Sequence, residues 1–468
     1  MKIIIQRILV YSTCFILFFG GVGWLGYNRS LEDFDETYSS YDDTNISINQ
    51  DKVKIPMYNP EKPTAVVLLG EPITEVLDFL VPYEMLAMTG AYNVYAIAPK
   101  NKVMSITGGL EIIPHYSYDE IDRLLLGKSP DVIVAPAIRI TDEKKYKPTR
   151  KWIQKHSKSE YTKFISICNG AKNLADAGLL DGKSAATHWQ VISSMAKKFP
   201  KVEWIKDQRY VEDGNIISSA GLSAGIDAML HLISQELGRG IALDIAQKMN
   251  YPSLHFLKNP KMDPYFRDIH FITTFVFNIA YQWNKEEVGV LLYDDMEEMA
   301  LSSIFDTYSD TGTTRTFTIA STENPIVTKH QLNLIARHKI SDTPKLDKMI
   351  VSGTRAKSLV KDTVKNWETK NKSSDVLFVH SDSPNRYIFE APIEDLAKQE
   401  DRWTARYAIK RLEYRANNIH LEGKPFPYET YFNLFLTCFL SILVAFVIDR
   451  KCIAKKNKSK RGLERLKF

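Results

Sequence analysis

Two uninterrupted apolar stretches lie near the two ends of the chain. The first, ILVYSTCFILFFGGVGWLG, covers residues 8–26, and the second, YFNLFLTCFLSILVAFVI, covers 431–448. Neither contains a charged residue, and each is close to the roughly 20 residues that a helix needs to cross a bilayer. We therefore predict two transmembrane helices. The first is predicted to stay uncleaved, because no A-x-A-like site follows it.

Between these stretches, short apolar runs alternate with helical patterns. TAVVLL begins at Thr64, and the helical pattern ITEVLDFLVPYEMLAMTG and the run NVYAIAP follow it. DVIVAPA and FISI are further runs of the same kind. Strands that are apolar on both faces and alternate with helices are typical of a parallel sheet covered on both sides. The pattern predicts an α/β domain.

The body of the chain then repeats this pattern. VGVLLYDDMEEMALSSIFDTYSDTG, from Val288, resembles AVVLLGEPITEVLDFLVPYEMLAMTG, and one constant shift places Glu75 on Glu297 and Pro82 on Ile304. An internal duplication is indicated. The second copy is incomplete, because VLFVHSDSPNRYIFEAP contains no cysteine. Between the copies, Phe271 to Trp283 is apolar but too short to span a bilayer, so we expect a packing helix there.

The charge of the protein is concentrated in its last twenty residues. They carry nine Lys and Arg against two acids, a net charge of +7, whereas the whole chain carries +5. A basic run directly after a membrane span favours retention in the cytoplasm and contact with anionic lipid over nucleic-acid binding. Lys2 and Arg7 precede the first span, so we expect both termini in the cytoplasm of a two-pass cell-membrane protein and the main body outside it.

These patterns divide the chain into consecutive segments. We predict a cytoplasmic N-terminus (1–7), a transmembrane helix (8–26), a linker (27–63), a first α/β domain (64–255), a connecting helix (256–287), a degenerate second lobe (288–420), a transmembrane helix (431–448) and a basic cytoplasmic tail (449–468).

Cys168 lies at the joint between a predicted strand and a predicted helix. It is one of four cysteines, and the other three lie in or beside the apolar ends. The small residues of S-I-C-N-G, with Gly170 two positions after the cysteine, fit a nucleophile elbow. A helix from Ala171 to Leu180 would favour the thiolate and lower the pKa of Cys168. The alternative is a buried structural thiol.

The residues around Cys168 resemble a known family. ISICNGAKNLADAGLLDGKSAATHW and DGNIISSAGLSAGIDAMLHLI are similar to the ThiJ/PfpI family of the class I glutamine amidotransferase-like superfamily. Within it, the chain looks most like the branch of isonitrile hydratases and the ligand-sensing domains of AraC-type regulators. The resemblance implies a flavodoxin-like parallel-sheet sandwich with a nucleophile elbow, over about 64–251 and more faintly over 288–418.

The resemblance also implies a set of site residues. Cys168 would be the nucleophile, Asp78 the acid that hydrogen-bonds the sulfur, and His188 a histidine near the thiol or, equally, a core histidine. The N–H groups of Asn169 and Ile138 would form the oxyanion hole. Two departures from the family affect this site. Ala137-Ile138 stands where the family has Gly-Gly, and Asn169 stands where the hydratase branch often has Thr.

Two functions remain open at this point. The first is a cysteine-dependent hydrolase or hydratase that acts on a small molecule, and the second is a non-catalytic module that senses a ligand or an oxidant. We expect a small-molecule substrate or ligand and a lipid membrane as partners, no nucleic acid, and no metal or cofactor, because no ligand spacing and no phosphate-binding glycine loop is evident. A homo-oligomer is a further option.

Overall fold

The N-terminal apolar stretch forms one long helical segment. The computed structural model describes residues 2–40, 50–140, 142–371, 374–415 and 417–455. Helix α1 (Lys2–Phe15) continues through a π-helical turn into α2 (Gly21–Tyr38). The linker predicted for 27–63 is therefore helical at its start. The physical reason is a set of contacts with the body, among them Ser30 Oγ to the Ile279 carbonyl at 2.8 Å and Asp33 to Lys285 at 2.8 Å.

The first α/β domain follows the predicted alternation of strands and helices. Its strands are β1 (Thr64–Leu68), β2 (Ile73–Thr74), β3 (Asn93–Ala98), β4 (Met104–Ile106), β5 (Leu110–Ile113), β6 (Tyr116–Ser117), β7 (Val132–Ala135), β8 (Lys163–Ser166), β9 (Ser184–Ala185), β10 (Glu203–Trp204), β11 (Tyr210–Asp213) and β12 (Ile216–Ser219). Its helices are α3 (Val76–Met88), α4 (Tyr118–Leu124), α5 (Glu143–His156), α6 (Ala171–Asp176), α7 (Ile192–Lys198), α8 (Leu222–Glu236) and α9 (Arg239–Lys248).

Seven of these strands form one sheet in the order β11-β12-β8-β7-β1-β3-β6. All neighbours are parallel except β11 and β12, which form the predicted antiparallel hairpin. The central strands are buried on both faces, as the apolar runs predict. This is the expected flavodoxin-like α/β fold, in which functional residues gather at the carboxyl ends of the strands.

Helices α10 (His255–Lys258) and α11 (Ile269–Tyr281) connect this domain to the second lobe. The strands of the second lobe are β13 (Glu286–Leu292), β14 (Thr314–Ala320), β15 (Ile326–Val327), β16 (Asn333–Ala336), β17 (His338–Lys339), β18 (Lys348–Ile350) and β19 (Asp375–Leu377). Its helices are α12 (Glu298–Tyr308), α13 (Ala356–Lys370), α14 (Glu390–Gln399) and α15 (Arg402–Arg411).

The second sheet has the strand order β17-β14-β13-β18-β19. This order repeats β6-β3-β1-β7-β8 of the first sheet. Equivalent elements also begin at positions related by the constant shift found in the sequence. Strand β1 starts at Thr64 and β13 at Glu286, and helix α3 starts at Val76 and α12 at Glu298. The structure thus agrees with the predicted second copy, whose five-stranded sheet has no counterparts of β12 and β11 among the described residues.

The two lobes are related by a local two-fold arrangement. Strand β5 pairs antiparallel with β16, and the pair at its centre is Ile112 and Leu334, which are themselves equivalent positions of the two copies. Helices α3 and α12 pack against each other in the same interface. A single hydrophobic core contains buried residues from both lobes. The contact therefore has the self-complementary form of a two-fold dimer interface within one chain.

The last long helix, α16 (Tyr428–Ile448), packs against α1. Two helical stretches, Ile3–Phe34 and Tyr428–Ala454, are long and apolar enough to cross a membrane. Helix α11 packs against both α2 and α16, which agrees with the predicted packing helix. Most of the basic tail, from residue 456 onwards, lies outside the described residues.

Removal of the second lobe should leave the first domain unable to exist as a stable monomer. A fragment of residues 60–255 would expose the apolar face of α3 and the unpaired edge of β5, and such edges pair with other chains. We expect dimers or aggregates by size-exclusion chromatography with light scattering. Ile112→Lys in the fragment should shift the distribution towards monomer, since a charge on an exposed strand edge opposes pairing. A monomeric, natively folded 60–255 fragment would show instead that the lobes are independent.

Candidate functional site

Cys168 occupies a sharp turn at the carboxyl end of β8. Its φ is +55°, in the left-handed region that non-glycine residues rarely adopt. A Cβ atom at Gly170 would lie 2.0 Å from the Ala135 carbonyl oxygen, so only glycine fits two residues after the cysteine. The turn is held by the Cys168 N–H, which donates to Ser219 Oγ at 3.3 Å, and by Thr187 Oγ1, which donates to the Cys168 carbonyl at 3.0 Å. These features are those of the predicted nucleophile elbow.

The Cys168 thiol is buried, and its pKa differs from the prediction. Cys168 is only 9% exposed. Burial raises its pKa well above the usual value, and the charges of Asp78 and Glu75 raise it further. The expected lowering of the pKa by a helix from Ala171 to Leu180 is wrong, because α6 has six residues and ends at Asp176. A short helix next to buried acids does not offset the cost of forming a thiolate.

Asp78 lies in the first turn of α3 and is fully buried. Its Oδ2 accepts a hydrogen bond from the Ala137 N–H at 3.1 Å, and its carboxyl also shares a hydrogen bond with the Glu75 carboxyl. Burial raises the pKa of Asp78 to about 7, and the charge of Asp306 adds to the rise. A carboxyl group that titrates near neutral pH beside a thiol can give and take a proton there. The geometry is therefore compatible with the predicted role of Asp78.

Glu75 is a further buried acid of this site. It is the N-cap of α3, and its Oε2 accepts a hydrogen bond from the Asp78 N–H at 2.6 Å. Burial raises the pKa of Glu75 to about 8, and the negative charge of Asp78 adds to the rise. The side chain thus fixes the start of the helix that carries Asp78.

His188 is buried and serves the contact between the lobes. Its Nε2 lies 3.4 Å from the Arg411 carbonyl oxygen, and its Nδ1 accepts from the Gln190 N–H at 3.4 Å. Burial lowers the pKa of His188 to about 4, so the ring is neutral at physiological pH. The side chains that act most strongly on the Cys168 pKa are Asp78, Glu75 and Glu413. These contacts favour the alternative that His188 is a core histidine.

The two predicted oxyanion donors differ in their surroundings. The Asn169 N–H lies against the sulfur and opposes the rise of the Cys168 pKa. Ile138 forms an isolated bridge with Thr74, and its side chain fills the space beside Gly70. The preceding amide, that of Ala137, is already used by Asp78. The Asn169 N–H thus lies beside the sulfur, whereas the N–H next to that of Ile138 already donates to Asp78.

The second lobe contributes residues to this site that the sequence did not reveal. Arg411 Nη2 donates to Asp306 Oδ1 at 2.9 Å, and Arg411 Nη1 lies 2.9 Å from Asp310. The charges of Asp306 and Glu413 act on Asp78 and Cys168, respectively. The sequence contained one indication that Asp306 matters. Asp306 is the position equivalent to Glu84 in the second copy, and both are acids in apolar helices. The segment that contains Glu413 has no such equivalent.

One group of side chains among the described residues could hold a metal ion. Glu84, Glu298 and His330 each offer a ligand atom within 4.8 Å of the others. Sequence spacing could not reveal it, because the three come from distant parts of the chain. Their atoms are satisfied within the protein: His330 Nδ1 lies 2.8 Å from Glu298 Oε2, and the Met299 N–H donates to Glu84 Oε2 at 2.6 Å.

Part of the first domain matches a known protein family. Residues 63–235 match the DJ-1/PfpI family. The chain is 28% identical over 182 residues to the isonitrile hydratase of Pseudomonas putida, covering 38% of this chain and 75% of the hydratase. A crystal structure of a ThiJ/PfpI family protein from Pseudomonas syringae is 21% identical, with a TM-score of 0.35, covering 50% of this chain and 87% of that protein.

Transcriptional regulators are also among the relatives. The HTH-type transcriptional regulator GbdR of Pseudomonas aeruginosa is 37% identical over 86 residues, which cover 18% of this chain. The chain spans about a quarter of the length of this regulator, 23%. The expected absence of a nucleic-acid partner conflicts with the presence of such regulators among the relatives. The elbow, the sheet order and the sequence match lead to one conclusion: residues 63–235 are a DJ-1/PfpI family domain.

Proposed function

We propose that the first domain carries a cysteine-dependent site that acts on a small molecule in the manner of a hydrolase or hydratase. The observation that carries the proposal is the juxtaposition of Cys168, held at a positive φ, with the Asp78 carboxyl and the Asn169 N–H. Backbone strain at a reactive residue is typical of functional sites. The similarity to an isonitrile hydratase over 182 residues supports the same class of chemistry.

The proposed reaction uses these groups in order. Asp78 accepts the thiol proton as Cys168 Sγ forms a bond with an electrophilic carbon of the substrate. The Asn169 N–H, with that of Ile138 as the second proposed donor, stabilises the negative charge that develops on the substrate. Asp78 then returns the proton to the substrate atom that carries this negative charge. Water releases the product from sulfur and restores the thiol.

The second candidate is a non-catalytic module that senses a ligand or an oxidant. It is favoured by the burial of the thiol, by its raised pKa and by the regulators among the relatives. A structure of the full chain with whatever small molecule co-purifies separates the two candidates. A ligand bonded to Cys168 Sγ supports the enzyme, and a ligand held only by non-covalent contacts supports the sensor.

We further propose that the two apolar helices anchor the protein in the cell membrane with both termini in the cytoplasm. The contact between α1 and α16 supports this arrangement, because Arg7 Nε donates to Asp449 Oδ1 at 3.0 Å. This pair joins the start of the first helix to the end of the second, as expected for two spans that run in opposite directions. The basic residues at both ends favour the same orientation.

Alkylation of Cys168 should report the raised thiol pKa. At pH 7 we expect iodoacetamide to react with Cys168 more slowly than with N-acetylcysteine, because only the thiolate reacts, and the rate should still be rising at pH 9. Asp78→Asn removes a negative charge beside the sulfur and should accelerate the reaction several-fold, whereas any turnover should be lost.

Mass spectrometry of the peptide that contains Cys168 gives the rate. The exposed acid Asp119 provides the matched control, and Asp119→Asn should leave the rate unchanged. Labelling of Cys168 only after unfolding would identify a structural thiol and exclude the proposed enzyme.

Reporter fusions should test the orientation. An enzyme that is active only in the cytoplasm should be silent when it is fused after Pro63, since this position belongs to the body that we place outside the cytoplasm. The same reporter fused after Phe468 should be active. Activity at both positions would overturn the proposed topology.

A further inference from the structure

Strand β19 forms an edge of the second sheet, whereas its counterpart β8 lies inside the first sheet. On its outer side β8 pairs with β12, and the Phe164 N–H donates to the Asn215 carbonyl there at 2.9 Å. Among the described residues, no strand pairs with the outer side of β19. The second lobe therefore leaves open an edge that the first lobe covers.

The open edge of β19 carries backbone groups that are free to pair with a further strand. The Asp375 N–H and the Leu377 carbonyl both bond to residues that flank β18, at 3.1 and 2.9 Å. Because successive residues of a strand point their backbone groups to opposite sides, the N–H and C=O of Val376 face outwards. Val376 and Leu377 are half-buried, whereas Phe164 and Ile165 of β8 are buried. The edge is thus accessible to another chain.

A groove lies between this edge and helix α13. Its volume is about 800 Å³, and it is lined by Lys357, Lys361 and Lys365 of α13 and by Phe378 directly after β19. Val364 and Phe378 supply apolar surface to the groove, and Lys357 Nζ lies 5.7 Å from the centre of the Phe378 ring. The groove therefore combines an apolar surface with positive charge.

The three lysines form one row along α13, since they are spaced four residues apart. Lys357 is paired with Asp382. Lys361 and Lys365 are exposed, and neither makes an ion pair with another described residue. Four residues of a helix rise about 6 Å, which is close to the roughly 6.6 Å between alternate residues of a strand. Because α13 connects two parallel strands, it runs alongside β19, and alternate side chains of an added strand would meet successive lysines.

We propose that an extended acidic segment of a partner protein adds to the edge of β19 as a further strand and places alternate carboxylates against Lys361 and Lys365. Main-chain hydrogen bonds to Val376 supply affinity in this arrangement, and the lysine row selects acidic side chains. A second copy of this chain fits the groove less well, because edge-to-edge pairing would bring two rows of like charge together.

Peptide binding to the full chain in detergent tests this proposal. The probe is a fluorescein-labelled ten-residue peptide in which glutamate alternates with valine, and binding is measured by fluorescence anisotropy. We expect this peptide to bind at least about tenfold more tightly than the corresponding peptide of lysine and valine. We expect the same margin over a version whose central amides are N-methylated, since that version cannot form a strand ladder.

Substitutions in the full chain locate the binding site. Lys361→Glu combined with Lys365→Glu should weaken binding at least about tenfold, because like charges then oppose each other. The matched control is Lys147→Glu with Lys151→Glu, which reverses two exposed lysines four residues apart on α5 and should leave binding unchanged. Val376→Pro removes an N–H that faces outwards and is not used by β18. It should abolish binding while the thermal unfolding of the protein stays close to that of the wild type.

Three results would overturn the proposal. Equal binding of the acidic and basic peptides, or tight binding of the N-methylated peptide, would exclude an acidic strand, and the peptide comparison decides even where Val376→Pro does not fold. Binding that survives Val376→Pro in a folded protein would assign the lysines to a polyanion without strand addition. Dimers that form without peptide binding and disappear in Val376→Pro, measured by light scattering, would assign the edge to a second copy of the chain.

Discussion

The packing of helix α3 against helix α12 is the contact on which the rest of the molecule depends. Phe79 and Tyr83 of α3 and Phe305 of α12 belong to one buried cluster, so the two lobes share a core. The pairing of β5 with β16 fixes the register, since a shift of one residue would turn Ile112 and Leu334 to the opposite face. The same interface places acids of the second lobe beside the thiol of the first. Stability and site geometry thus arise from one contact.

This interface concentrates carboxyl groups where little water reaches them. Burial raises the pKa of Glu75 to about 8 and that of Asp78 to about 7, above their values in an unfolded chain. Each then binds its proton more tightly when folded, so its contribution to stability is present at acidic pH and is lost as the pH rises through about 7 to 8. The Cys168 pKa is raised for the same reason. Near neutral pH the thiol is therefore protonated and Asp78 is close to its pKa of about 7, which suits proton transfer between the two rather than a preformed thiolate.

The features that depend on local sequence patterns could be predicted from the sequence. The alternation of apolar strands and helices gave both parallel sheets, the internal repeat gave the second lobe, and S-I-C-N-G gave the elbow. The raised pKa of the Cys168 thiol was not predictable in this way, because it depends on burial and on the approach of Asp78 and Glu75, with a smaller effect of Glu413 from far along the chain. The short α6 was missed for a local reason, since the positive φ of Gly178 follows its end at Asp176.

The two lobes use equivalent positions in opposite ways. In the second lobe, Glu298 accepts hydrogen bonds from Thr328 Oγ1 at 2.5 Å and from the His330 N–H at 3.0 Å, and Glu84 reaches in from the first lobe to cap the same region. At the site of the first lobe, the equivalent acid Asp306 reaches in from the second lobe, accepts from Arg411 Nη2 at 2.9 Å and shares a hydrogen bond with the Glu75 carboxyl. Satisfied polar groups stabilise a fold, and both halves of the interface satisfy their acids. The two halves differ in what lies beside those acids, because Glu75 and Asp78 act on the Cys168 thiol and have pKa values near neutral pH.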